Sequence, residues 1–334
     1  KNQEAVPPGW FGKMLFGEES AYSFIPITDF RFQGSDIMVE EYSGLESRRG
    51  EIRRIPLPDV IYSLHISNPD IRVKGDSISF LDYHGQTVRS TVTALQKEIE
   101  QKNIVLRSYL LGTDRFGRDM LSRLMAGTRV SLSVGLISVV ISLLIGISLG
   151  AISGYFRGWA DNLILWVINV IWSIPTLLLV IAITLALGKG FWQVFVAVGL
   201  TMWVEVARIV RGQLFSVREM EFVEAGRALG YRDSRLIIRH ILPNIMGPVM
   251  VVSAANFASA ILLEAGLSFL GVGAQPPMPS WGIMIKENYG YIIVDAAYLA
   301  VLPGLAIMLM VLAFNFVGNG LRDAFDTRET LAVS

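Results

Sequence analysis

The chain contains no cysteine and only three histidines, and its 29 basic residues balance its 29 acidic residues. Without cysteine the protein forms no disulfide, carries no thiolate and has no cysteine-ligated metal. His65 and His84 are too isolated in the sequence to indicate a metal site. The neutral charge balance argues against nucleic acid as a partner, because a surface that binds nucleic acid needs a basic patch.

Two kinds of active-site motif are also missing. No G-x-x-x-x-G-K-[ST] phosphate-binding loop occurs, so a nucleotide would have to be bound by another chain. The sequence offers no Ser/His/Asp set and no paired carboxylates of the kind that an enzyme within the membrane would need. We therefore expect no enzymatic activity and no cofactor in this chain.

Apolar sequence is abundant and makes up 52% of the chain. About half of the charged residues lie in the first third, and long uncharged runs dominate the remainder. These runs are long enough to cross a bilayer as helices, which satisfy backbone groups that cannot reach water. The sequence therefore predicts an all-α polytopic membrane protein, a bundle of five visible transmembrane helices. The predicted spans A to E cover about 130–154, 163–187, 191–207, 245–263 and 296–320.

Basic residues predict the orientation of these spans. Seven arginines lie between spans C and D, whereas the B–C turn offers only Lys189 and the D–E connection only Lys286. The positive-inside rule then places the 208–243 loop and the C-terminus in the cytoplasm, with the N-terminal segment outside. Since a chain that starts outside needs a removed signal or an earlier span, we expect a further span upstream.

Residues 1–110 form a separate, more polar segment. Ile61–Ile66 and Ser77–Leu81 alternate like strands, and Thr91 is placed to cap a helix that reaches Gln101. These patterns predict a small external α+β segment that precedes the membrane domain at 111–328 and a short tail at 329–334. The segment serves either as a contact for another protein or as a structural spacer.

Four polar residues at membrane depth are candidates for lining a translocation path. Asn169 and Ser173 lie on one stripe of span B just before Pro175, Asn256 lies in span D and Asn315 in span E. Polar side chains at this depth usually face the bundle interior or a water-filled path. The alternative is that they form hydrogen bonds between helices.

The loop between spans C and D is the most informative segment. The stretch from Glu221 to Gly230 fits a short helix, with Glu221 and Glu224 early and Gly230 as a left-handed cap. A second amphipathic stretch ends in Leu242-Pro243, where span D begins. A short, capped helix tied to two spans can transmit a push. The alternative is a helix that lies passively at the membrane interface.

The order Glu-Ala-Gly, then glycine, then Leu-Pro in this loop resembles the signature of ABC importer permeases. Gly226 replaces the usual second alanine, and His240 stands where isoleucine is common. Other segments resemble the binding-protein-dependent dipeptide, oligopeptide and nickel subfamily in particular. The segments that carry the resemblance are Glu224-Ala225-Gly226, Gly230, 111–114, 117–119, 127–132, 239–244, 264–271, 303–304, 314–315 and 320–326.

The resemblance implies the permease subunit of an ATP-driven importer in the inner membrane, with peptide as the first choice of cargo before nickel or other solutes. Spans A to E would correspond to the second to sixth helices of a type I importer permease. The implied partners are a second permease subunit, two ATPase subunits that bind the ATP, and an extracytoplasmic substrate-binding protein. The implied ATPase-coupling residues are Glu221, Glu224, Ala225, Gly226, Gly230, Leu242 and Pro243.

An ion-coupled secondary transporter and a membrane receptor are the alternative functions. A secondary transporter would need charged or broken helices at the membrane midplane, and predicted spans A, B, D and E lack internal charges. Binding of an ATPase and ATP-dependent uptake would favour the permease. Uptake driven by an ion gradient would favour the secondary transporter. If neither kind of uptake were found, the membrane receptor would be the remaining alternative.

Overall fold

The computed structural model describes residues 24–42, 44, 50–64, 70–188, 190–275, 278–293 and 296–325. His65, Lys189 and the predicted tail at 329–334 lie outside these residues. The chain divides into two compact units, residues 1–121 and 122–334. The first is an α+β unit and the second is helical.

The first unit contains two antiparallel three-stranded sheets, each followed by a short helix. Its elements are β1 (Ile27–Gln33), β2 (Asp36–Glu41), β3 (Ile52–Pro56), α1 (Leu57–Ile61), β4 (Arg72–Lys74), β5 (Ser77–Leu81), β6 (Thr87–Thr91) and α2 (Val92–Glu98). The strand orders are β1-β2-β3 and β4-β5-β6. Side chains from both halves share one core, so the sheets and helices fold as a single cluster.

The two halves of this unit repeat one another. The central strands pair in the same register, Ile37 with Ile55 in the first sheet and Ile78 with Ser90 in the second. The turn glycine Gly34 has φ +61° and its counterpart Gly75 has φ +63°, both in the left-handed region that favours glycine. The unit is therefore a tandem of two meander–helix repeats.

The sequence prediction for this unit is partly right. Ser77–Leu81 is a strand, and the Thr91 side chain caps α2 by accepting a hydrogen bond from the Ala94 N–H at 3.2 Å. The described part of the strand predicted at Ile61–Ile66 is not a strand, because Ile61 ends α1 and Leu64 makes only an isolated antiparallel bridge with Asp82. Pro58 stands in the first turn of α1, where its missing N–H costs nothing.

The second unit is a helical bundle. Its helices are α3 (Met120–Phe156), α4 (Gly158–Trp172), α5 (Thr176–Leu187), α6 (Phe191–Val217), α7 (Glu221–Ala228), α8 (Asp233–Arg235), α9 (Leu242–Leu270), α10 (Trp281–Asn288) and α11 (Tyr298–Phe325). Four helical stretches, which contain α3, α6, α9 and α11, are long and apolar enough to cross a membrane, and α4 with α5 makes a fifth span if the bent pair counts as one. The predicted fold class, a polytopic helical bundle with a small α+β segment, is confirmed.

Predicted span B is not one continuous helix. It is broken between α4 and α5, whose axes differ by 94°. Pro175 has no N–H to donate, and its ring disfavours a helical conformation at Ile174. The Ser173 hydroxyl turns back to the Val170 carbonyl oxygen at 2.7 Å, which satisfies one acceptor at the break.

Helices α6 and α9 run further than the predicted spans C and D. Helix α6 continues to Val217 and so contains Arg208 and Arg211. Both guanidinium groups have partners: that of Arg208 lies 3.7 Å from the centroid of the Trp172 ring, and that of Arg211 pairs with Asp161. Helix α9 continues to Leu270. It therefore contains the acidic residue Glu264, which lies just beyond the predicted end of span D.

Small residues let α3 pack closely on α6. A Cβ atom at Gly146 would lie 2.6 Å from the Val206 Cβ, and one at Gly150 would lie 2.6 Å from the Ala207 carbonyl oxygen. The Ser138 hydroxyl on the same face donates to the Phe195 carbonyl oxygen at 3.1 Å. Backbones that approach this closely gain van der Waals contact. This contact stabilises helix association within a lipid bilayer, where the hydrophobic effect does not.

Candidate functional site

Helix α7 lies with one side against the bundle and the other side exposed. Val223 and Gly226 are its buried residues, one turn apart. Glu221, Glu224 and Ala225 are exposed. Two large apolar side chains are exposed beside them, Phe222 by 39% and Leu229 by 71%. An exposed face that mixes carboxylates with large apolar groups is suited to contact another protein.

The C-terminal end of α7 is fixed by a Schellman motif. Gly230 has φ +74°, and its N–H donates to the Arg227 carbonyl oxygen at 2.9 Å. The N–H of Tyr231 donates to the Gly226 carbonyl oxygen at 3.1 Å. These two bonds satisfy carbonyl groups that a helix end leaves free, so the glycine determines where α7 stops.

Gly226 allows the following segment to pack against α7. A Cβ atom at this position would lie 2.7 Å from the Leu236 Cδ2 and 3.4 Å from the Tyr231 Cδ2. Leu236 is fully buried and belongs to the π-helical turn Leu236–Ile241 that leads into α9. The departure from the usual alanine thus accompanies close contact between α7 and this turn.

One apolar cluster ties α7 to three long helices. Val223 of α7 and Ile241 of the π-helical turn are fully buried there. Leu242 is partly buried against the cluster, whereas Pro243 is exposed in the first turn of α9. The other buried members come from the ends of α3, α6 and α9: Ala151, Tyr155, Val206, Val210, Leu214, Val217, Ile245 and Val249. Helix α7 therefore packs against the ends of all three helices.

Tyr155, near the end of α3, makes polar contacts to both sides of α7. Its hydroxyl donates to the Asp233 Oδ1 at 2.5 Å. Its carbonyl oxygen accepts a hydrogen bond from the Arg218 guanidinium at the end of α6. The Arg227 guanidinium lies 5.6 Å from the centroid of the Tyr155 ring. The same buried residue thus contacts α7, the segment that precedes it and the segment that follows it.

A bidentate ion pair joins α4 to α6 nearby. The Arg211 Nε and Nη2 donate to the two carboxylate oxygens of Asp161 at 2.6 and 2.8 Å. The Ser153 hydroxyl of α3 donates to the same carboxylate. Both partners are mostly buried, with side-chain exposures of 25% and 11%, so the pair is shielded from solvent screening. Three helices are fixed at one point.

The four path candidates differ in how exposed they are. Asn169 and Ser173 are exposed at the end of α4, and Asn315 is exposed on α11. Asn315 donates to the Val311 carbonyl oxygen of its own helix at 2.9 Å. Asn256 is only 1% exposed, inside the bundle. A role in lining a path stays a prediction for these residues.

Sequence reasoning missed Tyr155, Asp161, Arg211 and Asp233 as site residues. The signal that was available is the position of a carboxylate, Asp161, in the turn between two apolar runs near an arginine-rich loop. Nothing in the sequence alone indicates that Arg211, 50 positions away, is its partner.

The sequence matches the family described as binding-protein-dependent transport system inner membrane component over residues 146–330. It is 41% identical over 221 residues to a glutathione transport system permease protein of Pectobacterium atrosepticum, covering 66% of this chain and 73% of that protein. It is 42% identical over 217 residues to a dipeptide transport system permease protein of Alkalihalophilus pseudofirmus, covering 65% and 71%.

The fold is similar to that of a solved methionine ABC transporter, MetNI, in an inward-facing conformation. The TM-score is 0.52 at 19% sequence identity, and the match covers 62% of this chain and 97% of that chain. The family match reaches more than half of the chain, and the helical unit carries it. The protein therefore belongs to the inner membrane components of binding-protein-dependent transport systems: it is a multi-pass permease subunit of an ABC importer, and not an enzyme, from a family that works with an ATPase and a substrate-binding protein.

Proposed function

We propose that this permease imports small peptides and that a separate ATPase drives it through α7. Two relatives with 41% and 42% identity are named for glutathione and for dipeptides, which are both peptide-like cargoes. In this proposal the chain forms half of a path completed by a second permease subunit. Two ATPase subunits bind the ATP, so this chain carries no cofactor, and an extracytoplasmic binding protein delivers the cargo.

The geometry of α7 is the observation that supports the coupling role. The helix is anchored by Val223 and Gly226, capped by Gly230, and exposes Glu221, Glu224 and Ala225 on its free side. Because its anchoring cluster contains the ends of α3, α6 and α9, a push on the exposed side would move three helices together. Leu242 and Pro243 then serve to fix the direction in which the chain re-enters the membrane.

The arginine distribution supports the orientation that this mechanism needs. The arginines of this segment lie within α7 or on either side of it, and the positive-inside rule favours the cytoplasm for such a segment. They are Arg218, Arg227, Arg232, Arg235 and Arg239. In this proposal three predicted spans separate the N-terminal segment from α7 along the chain, so that the N-terminal segment lies outside the membrane. An external α+β unit would be available to the binding protein or to the partner permease.

The experiment is ATP-driven peptide uptake by the reconstituted transporter that carries Glu224→Ala. We expect uptake to fall roughly tenfold or more, because a central interface residue often contributes that much, while membrane insertion is unchanged. Glu100→Ala, which removes an exposed carboxylate in the first unit, is the matched control and should transport normally. Gly230→Pro should also uncouple transport, since proline cannot adopt φ +74°.

Wild-type uptake in Glu224→Ala would refute the coupling role of this residue. The transporter could instead hydrolyse ATP normally and take up another solute but no peptide. That result would leave the coupling role intact and reject peptide as the cargo. The two parts of the proposal therefore fail separately.

A further inference from the structure

A carboxylic acid is buried in the second unit away from α7. Glu264 of α9 has no exposed surface. Its Oε1 accepts a hydrogen bond from the Ser268 hydroxyl at 2.7 Å, one turn along the same helix. Its Oε2 lacks a hydrogen-bond partner among the described residues. An unsatisfied carboxylate oxygen in an apolar bundle is costly, so its protonation state needs an explanation.

The surroundings of Glu264 are hydroxyl groups. Ser131 of α3 and Ser280, the residue before α10, lie close to the carboxyl group along with Ser268. Ser131 is fully buried, and its Oγ is also without a partner among the described residues. Two unsatisfied polar atoms, one from α3 and one from α9, therefore share one buried region.

The described part of the chain shows no ion pair to Glu264. Two charged groups on the facing helices pair with each other instead: the Arg123 Nη2 of α3 donates to the Glu287 Oε2 of α10 at 3.0 Å. Lys286 of α10 is exposed, and its ammonium group lies over Gly271. An ionised Glu264 would thus be a buried charge without a counter-charge, which proteins avoid by keeping the group neutral.

Tight backbone packing holds the segment after α9 against this carboxyl group. A Cβ atom at Gly282 would lie 2.4 Å from the Ala265 carbonyl oxygen, so α10 touches the backbone of α9. The Ser268 Oγ also accepts a hydrogen bond from the Ala274 N–H at 3.1 Å. The Trp281 Nε1 donates to the Leu124 carbonyl oxygen of α3 at 3.0 Å. Ala274 is thus fixed to α9, and α10 is fixed to both α9 and α3.

We propose that Glu264 carries a proton and donates it in a hydrogen bond to the Ser131 Oγ, as a positioning residue that joins α3, α9 and the turn at Ala274. The proton completes an unbroken series of donors and acceptors, from the Ala274 N–H through Ser268 and Glu264 to Ser131. Each buried atom in the series then has a partner, and the neutral acid needs no counter-charge. This inference concerns the fold of the permease and holds for any cargo.

Infrared spectroscopy of the purified full-length protein tests the proposal directly. The wild type should show a carbonyl stretching band of a protonated carboxylic acid at neutral pH, and Glu264→Gln should lack it. Ser131→Ala should shift this band, because the acid then loses its acceptor. Glu98→Gln is the matched control, since it removes a half-buried carboxylate that pairs with Lys102 at 2.9 Å and should leave the band unchanged.

Thermal unfolding shows whether the stability of the protein depends on a neutral, hydrogen-bonding side chain at position 264. Glutamine offers the same neutral donor and acceptor, so Glu264→Gln should melt within about 2 °C of wild type, whereas Glu264→Ala should melt roughly 5 °C lower. If Glu264→Ala does not fold, Glu264→Gln and Ser131→Ala still carry the test. An acid band that persists in Glu264→Gln, or a loss of stability in Glu264→Gln as large as in Glu264→Ala, would overturn the proposal.

Discussion

The hydrogen bond from Tyr155 to Asp233 should control how firmly α7 and its following segment are held to α3. Tyr155→Phe removes only the hydroxyl that donates to the Asp233 Oδ1 at 2.5 Å, and the buried ring remains in its cluster. A hydrogen bond to a charged partner contributes about 1.5–3 kcal/mol, and the exposure of Asp233 moves the value to the lower end of that range. A loss of about 1.4 kcal/mol corresponds to about a tenfold increase in opening of the segment.

Amide hydrogen exchange over residues 221–241 measures this opening. We expect the backbone N–H groups of Gly230 and Tyr231, which close the cap of α7, to exchange about ten times faster in Tyr155→Phe than in wild type. Tyr231→Phe is the matched control in the same segment, because the Tyr231 ring stacks on His240 and its hydroxyl makes no hydrogen bond among the described residues.

The double variant Tyr155→Phe with Asp233→Ala should open no more than the more strongly affected single variant, since both changes remove one bond. Equal exchange in wild type and Tyr155→Phe would refute the role of this bond. Additive effects in the double variant would show that the two residues act independently.

The other predictions concern the ion pair and the contact between α3 and α6. Asp161→Asn leaves Arg211 without its counter-charge and should destabilise the protein by about 3 kcal/mol in thermal melts, and if Arg211→Ala melts like wild type, the pair is not structural. Gly150→Ala pushes a Cβ atom against the Ala207 carbonyl oxygen, which cannot move alone, and should destabilise by about 1–3 kcal/mol. Gly266→Ala, where a Cβ atom meets nothing within 4 Å, should be neutral or slightly stabilising, and a loss equal to that of Gly150→Ala would contradict the packing argument.

The sequence was sufficient to predict the class of the fold because membrane spans depend on composition over about 20 residues. It predicted α7 for a related reason, since the glutamates at its start and Gly230 at its end are local helix signals. The break in span B was missed although Pro175 was visible. A proline inside an apolar run is compatible with a kink or with a full break, and only neighbouring helices decide between them.

Tertiary partners could not be predicted from the sequence. Asp161 and Arg211 are 50 positions apart, and Tyr155 and Asp233 are 78 apart, so no local pattern connects either pair. The repeat in the first unit was detectable, because Asp29, Arg31 and Gly34 recur 41 positions later as Asp70, Arg72 and Gly75. It was missed because few positions are identical between the two halves. In addition, the second and third strands lie farther apart in the sequence in the first sheet than in the second.

Site-specific cross-linking tests the central claim, that a separate ATPase contacts the exposed side of α7, most directly. The chain has no cysteine, so Ala225→Cys introduces a single thiol on that side without a competing residue. In membranes that contain the whole transporter, a thiol-to-amine cross-linker should join this residue to the ATPase, whereas Glu100→Cys in the first unit should not. The account is contradicted if the thiol at position 225 joins only the substrate-binding protein, or if the one at position 100 captures the ATPase instead.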